Sequence, residues 1–200
     1  KDPLAIVPDP WDFENYAKAW NALPFAGAYL NSAYICLLVV AGTLVTAAMA
    51  GYAFARLEFP FSRATFLLFL ATQMVPKQVT IVPLYILLSR IGWIDSHLAL
   101  IVPAALSNPF AVFLVRQFVR TLPAELEEAA MIDGAGRGRI FFSVVLPNLG
   151  AALSALAILV AYGWTYLLDP SISAPTRDPA WYTWRSALLM HASPGSPMSR

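Results

Sequence analysis

An all-α, multi-spanning membrane bundle of about four spans is the fold class that three observations predict. The 200-residue chain is 58% hydrophobic and only 12% charged, against roughly 25% charged residues in soluble domains. Its apolar residues are also contiguous: residues 19–55, 98–115 and 140–168 carry no charged side chain. A bilayer core takes about 20 apolar residues of helix, and a soluble core of this length would interleave charged faces at helical period. The third observation is where the polar residues collect. They sit in short turns between the runs and in one Gly-punctuated stretch, residues 125–147.

Residues 1–27 read as an extracytoplasmic or interfacial segment. They hold Pro3, Pro8, Pro10 and Pro24 with Trp11, Tyr16 and Trp20, and Trp and Tyr favour the headgroup level. A short helix over 12–21, capped by Asp12, fits there. The membrane domain is expected over 28–168 and an irregular, Pro/Ser-rich tail over 169–200. The first span is expected at 29–55. Its small residues, among them Gly42, Ala47, Ala48 and Gly51, suit close helix packing. Cys36 lies in this run as a small apolar packing residue. A short turn with Pro60 leads to a second span at 64–82. Measured from Arg63 at 1.5 Å per residue, Lys77 then lies about 21 Å along the helix. It either snorkels to the interface or faces a water-filled path. Pro76 and Pro83 kink or end this helix, and residues 84–89 continue it briefly. The third span, 97–117, holds Pro103, Asn108 and Pro109. Prolines there free carbonyls that neighbours or water must satisfy; the break either packs as a kink or lines a pathway. His97 is expected at the interface. The fourth span runs over 148–168 and stops at Asp169-Pro170.

Residues 56–63 and 116–139 must share one side of the membrane, because two spans separate them. They carry six of the thirteen basic residues, which places this side in the cytoplasm. Thr121 is expected to cap a helix there, with Pro123 in its first turn. Glu125, Glu127 and Glu128 then suit the positive end of that helix. Gly134 and Gly136 permit a sharp bend, and a second short helix follows at 137–145, closed by Pro147.

A net charge of +1 argues against a nucleic-acid partner. No phosphate-binding loop of the Gly-rich Lys-Ser/Thr type is present. The paired glutamates have no catalytic partner nearby, and no His/Cys spacing suits a metal. No cofactor is expected, and no pattern in these residues argues for an enzyme.

The spacing in the polar stretch carries a resemblance. Glu128-Ala129-Ala130, three residues, Gly134, nine residues, Val144, one residue, Leu146-Pro147 resembles the coupling motif of permease subunits of ATP-binding cassette importers. Val144 stands where that motif has Ile. Residues 53–62 (AFARLEFPFS), 73–76 (QMVP), 82–95 (VPLYILLSRIGWID) and 113–118 (FLVRQF), with Asn31-Ser32, are similar to the carbohydrate-importer branch; the likeness covers residues 10–168. It implies a bacterial or archaeal plasma membrane, a cytoplasmic ATPase, a second permease and an extracytoplasmic solute-binding protein. It also implies sugars or glycerol-phosphate compounds as cargo. By the same resemblance Glu125, Glu127, Glu128, Ala129, Ala130, Asp133, Gly134, Leu146 and Pro147 form the ATPase-coupling element. Lys77, Asn108 and Pro109 are candidates for the pathway. Family members have six spans and this chain shows four, so a processed or partial permease is expected. An inactive truncated permease, or a transporter or channel working without an ATPase, are the alternatives.

Overall fold

A computed structural model describes residue 14 and residues 25–94 and 96–162, all helix and turn. Apart from residue 14, the expected interfacial helix at 12–21 lies outside these residues, as do the tail at 169–200 and 163–168 of the fourth span. The elements are α1 (Phe25–Arg56), α2 (Ser62–Ala71) with a 3-10 turn (Thr72–Met74), α3 (Lys77–Arg90), α4 (Leu98–Leu106), α5 (Pro109–Thr121), α6 (Glu125–Ile132) and α7 (Arg137–Ile140). A π-turn (Phe141–Val145), α8 (Leu146–Asn148) and α9 (Gly150–Tyr162) complete them.

Among the described residues, two stretches are long and apolar enough to cross a membrane, Ala26–Arg56 and Leu98–Thr121. Two bent pairs raise the number to four if each pair is one span. The second expected span is such a pair, bent by 104° ahead of α3. The cause is local. Pro76 has no amide hydrogen for the ladder, and it forces Val75 out of helical geometry to φ −78°, ψ 118°. Lys77 therefore does not lie 21 Å along a straight helix; it opens α3 after the turn. The fourth expected span begins later than residue 148, at Gly150, after a 73° bend from the preceding helix.

The centre of the bundle is α1 packed along α4 and α5. On α5, Ala111, Val112, Val115 and Val119 recur at three-and-four spacing and are all buried. The facing side of α1 is made of Ala47, Ala48, Gly51 and Tyr52. At its glycines α1 contributes no side chain, and side chains of α4 and α5 sit directly against its backbone. A Cβ on Gly51 would lie 2.7 Å from Val115 Cγ1, and one on Gly42 would lie 2.7 Å from Ala105 Cβ. In lipid, close backbone approach replaces hydrophobic exclusion as the source of helix association.

The same face of α1 repairs the break between α4 and α5. Pro109 cannot donate to the Ala105 carbonyl. Thr46 Oγ1 donates to it instead at 2.7 Å, and Thr43 Oγ1 reaches the Ala104 carbonyl at 3.3 Å. Thr43 is fully buried, so its hydroxyl has no water to turn to. The broken third span is thus held by its neighbour helix.

His97, expected at the interface, is buried and lies against Tyr34 of α1, with ring centroids 5.2 Å apart. At the opposite end of α1, Arg116 of α5 donates from Nε to the Phe54 carbonyl at 3.1 Å. Its guanidinium carbon sits 4.2 Å from the centroid of the Phe66 ring. This clasp brings α1, α2 and α5 together at the arginine-rich end, as the span count requires.

Candidate coupling site

The site is the helix–bend–helix between α5 and α9. Thr121 does not cap it. Thr121 is the last residue of α5, and its hydroxyl donates to the Phe118 carbonyl at 2.7 Å. Leu122 and Pro123 carry the chain across, and Ala124 occupies the cap position without a side-chain bond. Its carbonyl accepts from the amides of Glu127 and Glu128, both at 3.0 Å. The first-turn glutamates supply the negative charge that a helix start favours.

Gly134 ends α6 in the left-handed region at φ 80°. Around it the amide of Ala135 donates to the Ala130 carbonyl at 2.9 Å and that of Gly134 to the Met131 carbonyl at 3.0 Å. This crossed pair satisfies two terminal carbonyls and needs a residue that tolerates positive φ. The bend is therefore built around Gly134. Gly136, by contrast, has φ −72° and simply precedes α7.

The second short helix runs further than residue 145. It passes from α7 through the π-turn into α8, and Pro147 lies inside it rather than closing it. Pro147 lacks the amide hydrogen that an α-ladder would use at this point, and the wide turn just before it absorbs the gap. Asn148 Nδ2 donates to the Val144 carbonyl at 2.7 Å. Leu146 and Pro147 therefore shape the joint and lie off the outward face of α6.

The three glutamates of α6 do not share one environment. Glu125 and Glu128 are exposed, whereas Glu127 is 5% exposed. Its Oε1 receives the Nε hydrogen of Arg56 at 2.7 Å, and its Oε2 receives the Tyr52 hydroxyl at 3.3 Å. Arg56 Nη2 also donates to the Leu122 carbonyl at 2.6 Å. Glu127, expected with the outward coupling residues, faces the bundle. Position 127 lies on the side of α6 that meets the end of α1, where a carboxylate needs a cation to offset its desolvation.

The outward face follows from spacing. Glu125, Glu128, Ala129 and Ile132 are exposed at helical intervals. Ile132 is 87% exposed, and Leu126 and Met131 flank it, also exposed. Asp133 is exposed and Ala130 half-buried. Ile132 and Met131 escaped the motif-based expectation; their distance from Glu128 on a 3.6-residue helix was the available signal. Behind this face, Ala130, Asp133, Ala135, Arg139, Ile140, Ser143 and Val144 line an open cavity of about 200 Å³ in the crook of the bend.

The pathway candidates are placed elsewhere. Asn108 Oδ1 accepts from the Ala111 amide at 3.0 Å, so its side chain caps α5. Pro109 is buried at the first turn of that helix. Lys77 opens α3. Neither Asn108 nor Pro109 lines the cavity at the bend. Among the described residues no group of His, Cys, Asp and Glu could hold a metal ion.

A family model described as "Binding-protein-dependent transport system inner membrane component" matches residues 39–168. The chain is 37% identical over 166 residues to the diacetylchitobiose uptake system permease protein NgcG of Streptomyces coelicolor, which covers 82% of this chain and 55% of that protein. It is 34% identical over 175 residues to the sn-glycerol-3-phosphate transport system permease protein UgpE of Yersinia pestis, covering 84% and 62%. With the arabinooligosaccharides transport system permease protein AraQ of Halalkalibacterium halodurans it shares 36% over 149 residues, covering 74% and 53%. The chain thus spans little more than half the length of these relatives. The fold matches a bacterial ABC transporter involved in alginate import with a TM-score of 0.84 at 19% identity, over 96% of this chain and 69% of that one.

Proposed function

Since the chain belongs to the family of inner membrane components of binding-protein-dependent transport systems, we propose that it acts as a permease subunit of an ATP-driven importer. The cargo is a sugar or a glycerol-phosphate-like solute, in line with the cargoes named for NgcG, UgpE and AraQ. The subunit sits in the plasma membrane with the α6–α7 bend on the cytoplasmic side. There a partner ATPase hydrolyses ATP, a second permease completes the path, and a solute-binding protein delivers cargo from the other side.

The observation that carries this reading is the exposed face of α6. Glu128 presents a negative charge to a basic residue of the ATPase, Ala129 is small enough for a groove to close over, and Ile132 offers an apolar anchor. Such a patch on an otherwise polar turn suits a protein partner. The bend at Gly134 fixes the direction in which this face points. When the ATPase dimer closes, α6 moves with it and the spans rotate as packed bodies.

The test uses the full-length permease with its partners in reconstituted vesicles. Glu128→Lys is expected to lose ATP-driven uptake and ATPase co-purification while still inserting in the membrane. Uptake at the wild-type rate would refute the assignment.

A further inference from the structure

The proposed docking face explains how an ATPase takes hold of α6, but not how α6 takes hold of the spans. Its covalent joints are bends at both ends. Leu122 is extended at φ −70°, ψ 135° and is followed by Pro123. Gly134 turns the chain at φ 80°, and a side chain added there would meet nothing within 4 Å. Bends of this kind are where hinge motion is absorbed. Joints alone would let α6 swivel under load.

What crosses the bends is the cluster around Arg56, the last residue of α1. One guanidinium donates to Glu127 in the middle of the α6 start and to the carbonyl of Leu122 just ahead of it. Both carboxylate oxygens of Glu127 are engaged, because Tyr52, one turn back on α1, donates to the second. The Tyr52 hydroxyl also interacts with Arg137, the first residue of α7. The Tyr52 ring lies 5.3 Å from that of Phe141 in the π-turn. Arg56 and Tyr52 thus bind both arms of the bend to one end of a single helix. That helix has 32 residues, about 48 Å at 1.5 Å per residue. Along its length it is locked to α4 and α5 through Gly42, Thr43, Thr46 and Gly51.

We infer that the Arg56–Glu127 pair, with Tyr52, is the positioning link through which displacement of the coupling helix is delivered to α1 and hence to the transport path. The inference rests on the docking role proposed for α6. It assigns Glu127 a task opposite to that of Glu128: it grips the membrane domain while its neighbour is gripped by the ATPase. The planar fork matters here, because one Arg must meet a carboxylate and a carbonyl at once.

The test measures solute moved per ATP hydrolysed by the assembled full-length transporter in vesicles. Glu127→Gln preserves the shape of the cluster and removes its charge. It is expected to retain the ATPase on co-purification yet move about tenfold less solute per ATP, within the range that substitutions along a coupling path reach. If Glu127→Gln fails to accumulate, Arg56→Lys, which keeps the charge but loses the fork, is held to the same expectation. A wild-type ratio in complexes that do assemble, even with lowered yield or melting temperature, would make the pair merely structural and overturn the inference. Wild-type protein that retains no ATPase would instead overturn the docking role itself, and this inference with it.

Discussion

Glu127 and Glu128 are adjacent, chemically identical and on one short helix, yet they belong to different parts of the molecule. Glu127 is buried against Arg56 and Tyr52, and Glu128 is exposed beside Ala129. A step of one residue turns the side chain by about 100° on a helix with 3.6 residues per turn. That step is the difference between holding the membrane domain and offering a surface to a partner. α6 is therefore two-sided: an ionic inner face fixed to α1 and a mixed acidic and apolar outer face left open.

The difference can be broken most severely from the inside. Glu127→Ala should destabilise the bundle by about 3 kcal/mol, because it leaves the Arg56 guanidinium poorly paired in a mostly buried place. The thermal midpoint of the purified full-length protein in mild detergent checks this, and a change near zero would show that the pair is solvated. Gly134→Ala comes next, at about 1–2 kcal/mol, the cost of a left-handed backbone for a residue with a Cβ. The space around Gly134 is open, so the strain is in the backbone alone, and Gly134→Asn should recover part of it in the same melt. Thr46→Val keeps the side-chain shape but leaves the Ala105 carbonyl with no hydroxyl, for about 1 kcal/mol. It should not alter ATPase co-purification, which separates the packing of the spans from the coupling element. Glu128→Ala should be the mildest for folding, within about 0.5 kcal/mol, while weakening ATPase capture more than any of the others.

Much of this was legible in the residues. Charge-free runs predicted the apolar helices because lipid demands long, continuous apolar stretches. Gly134 announced its bend because a positive φ is cheap only without a Cβ. The two faces of α6 were only half legible. Glutamates at 125, 127 and 128 cannot all point one way, but which one turns inward depends on Arg56, 71 positions earlier. The break in the second span was legible in Pro76, which kinks or ends a helix, but residue type alone does not give its size of 104°. Thr121 and Pro123 looked like a helix start by local preference, but α5 claims Thr121 for its own last turn. The break at Asn108-Pro109 invited a pathway reading because freed carbonyls suit a water-lined route. Thr43 and Thr46, about 60 positions away on α1, donate hydroxyls to carbonyls at that break. The inward turn of Glu127 rests on a tertiary partner that local sequence does not display.

The central claim is that the outer face of α6 is covered by an ATPase while the inner face stays on α1. A single introduced thiol tests it directly. In a full-length protein with Cys36→Ser and no other cysteine, Ala129→Cys places a thiol on the open face. It should react readily with a maleimide when the permease is alone and be strongly protected once the ATPase is bound. Labelling at the same rate with and without the ATPase would contradict the claim.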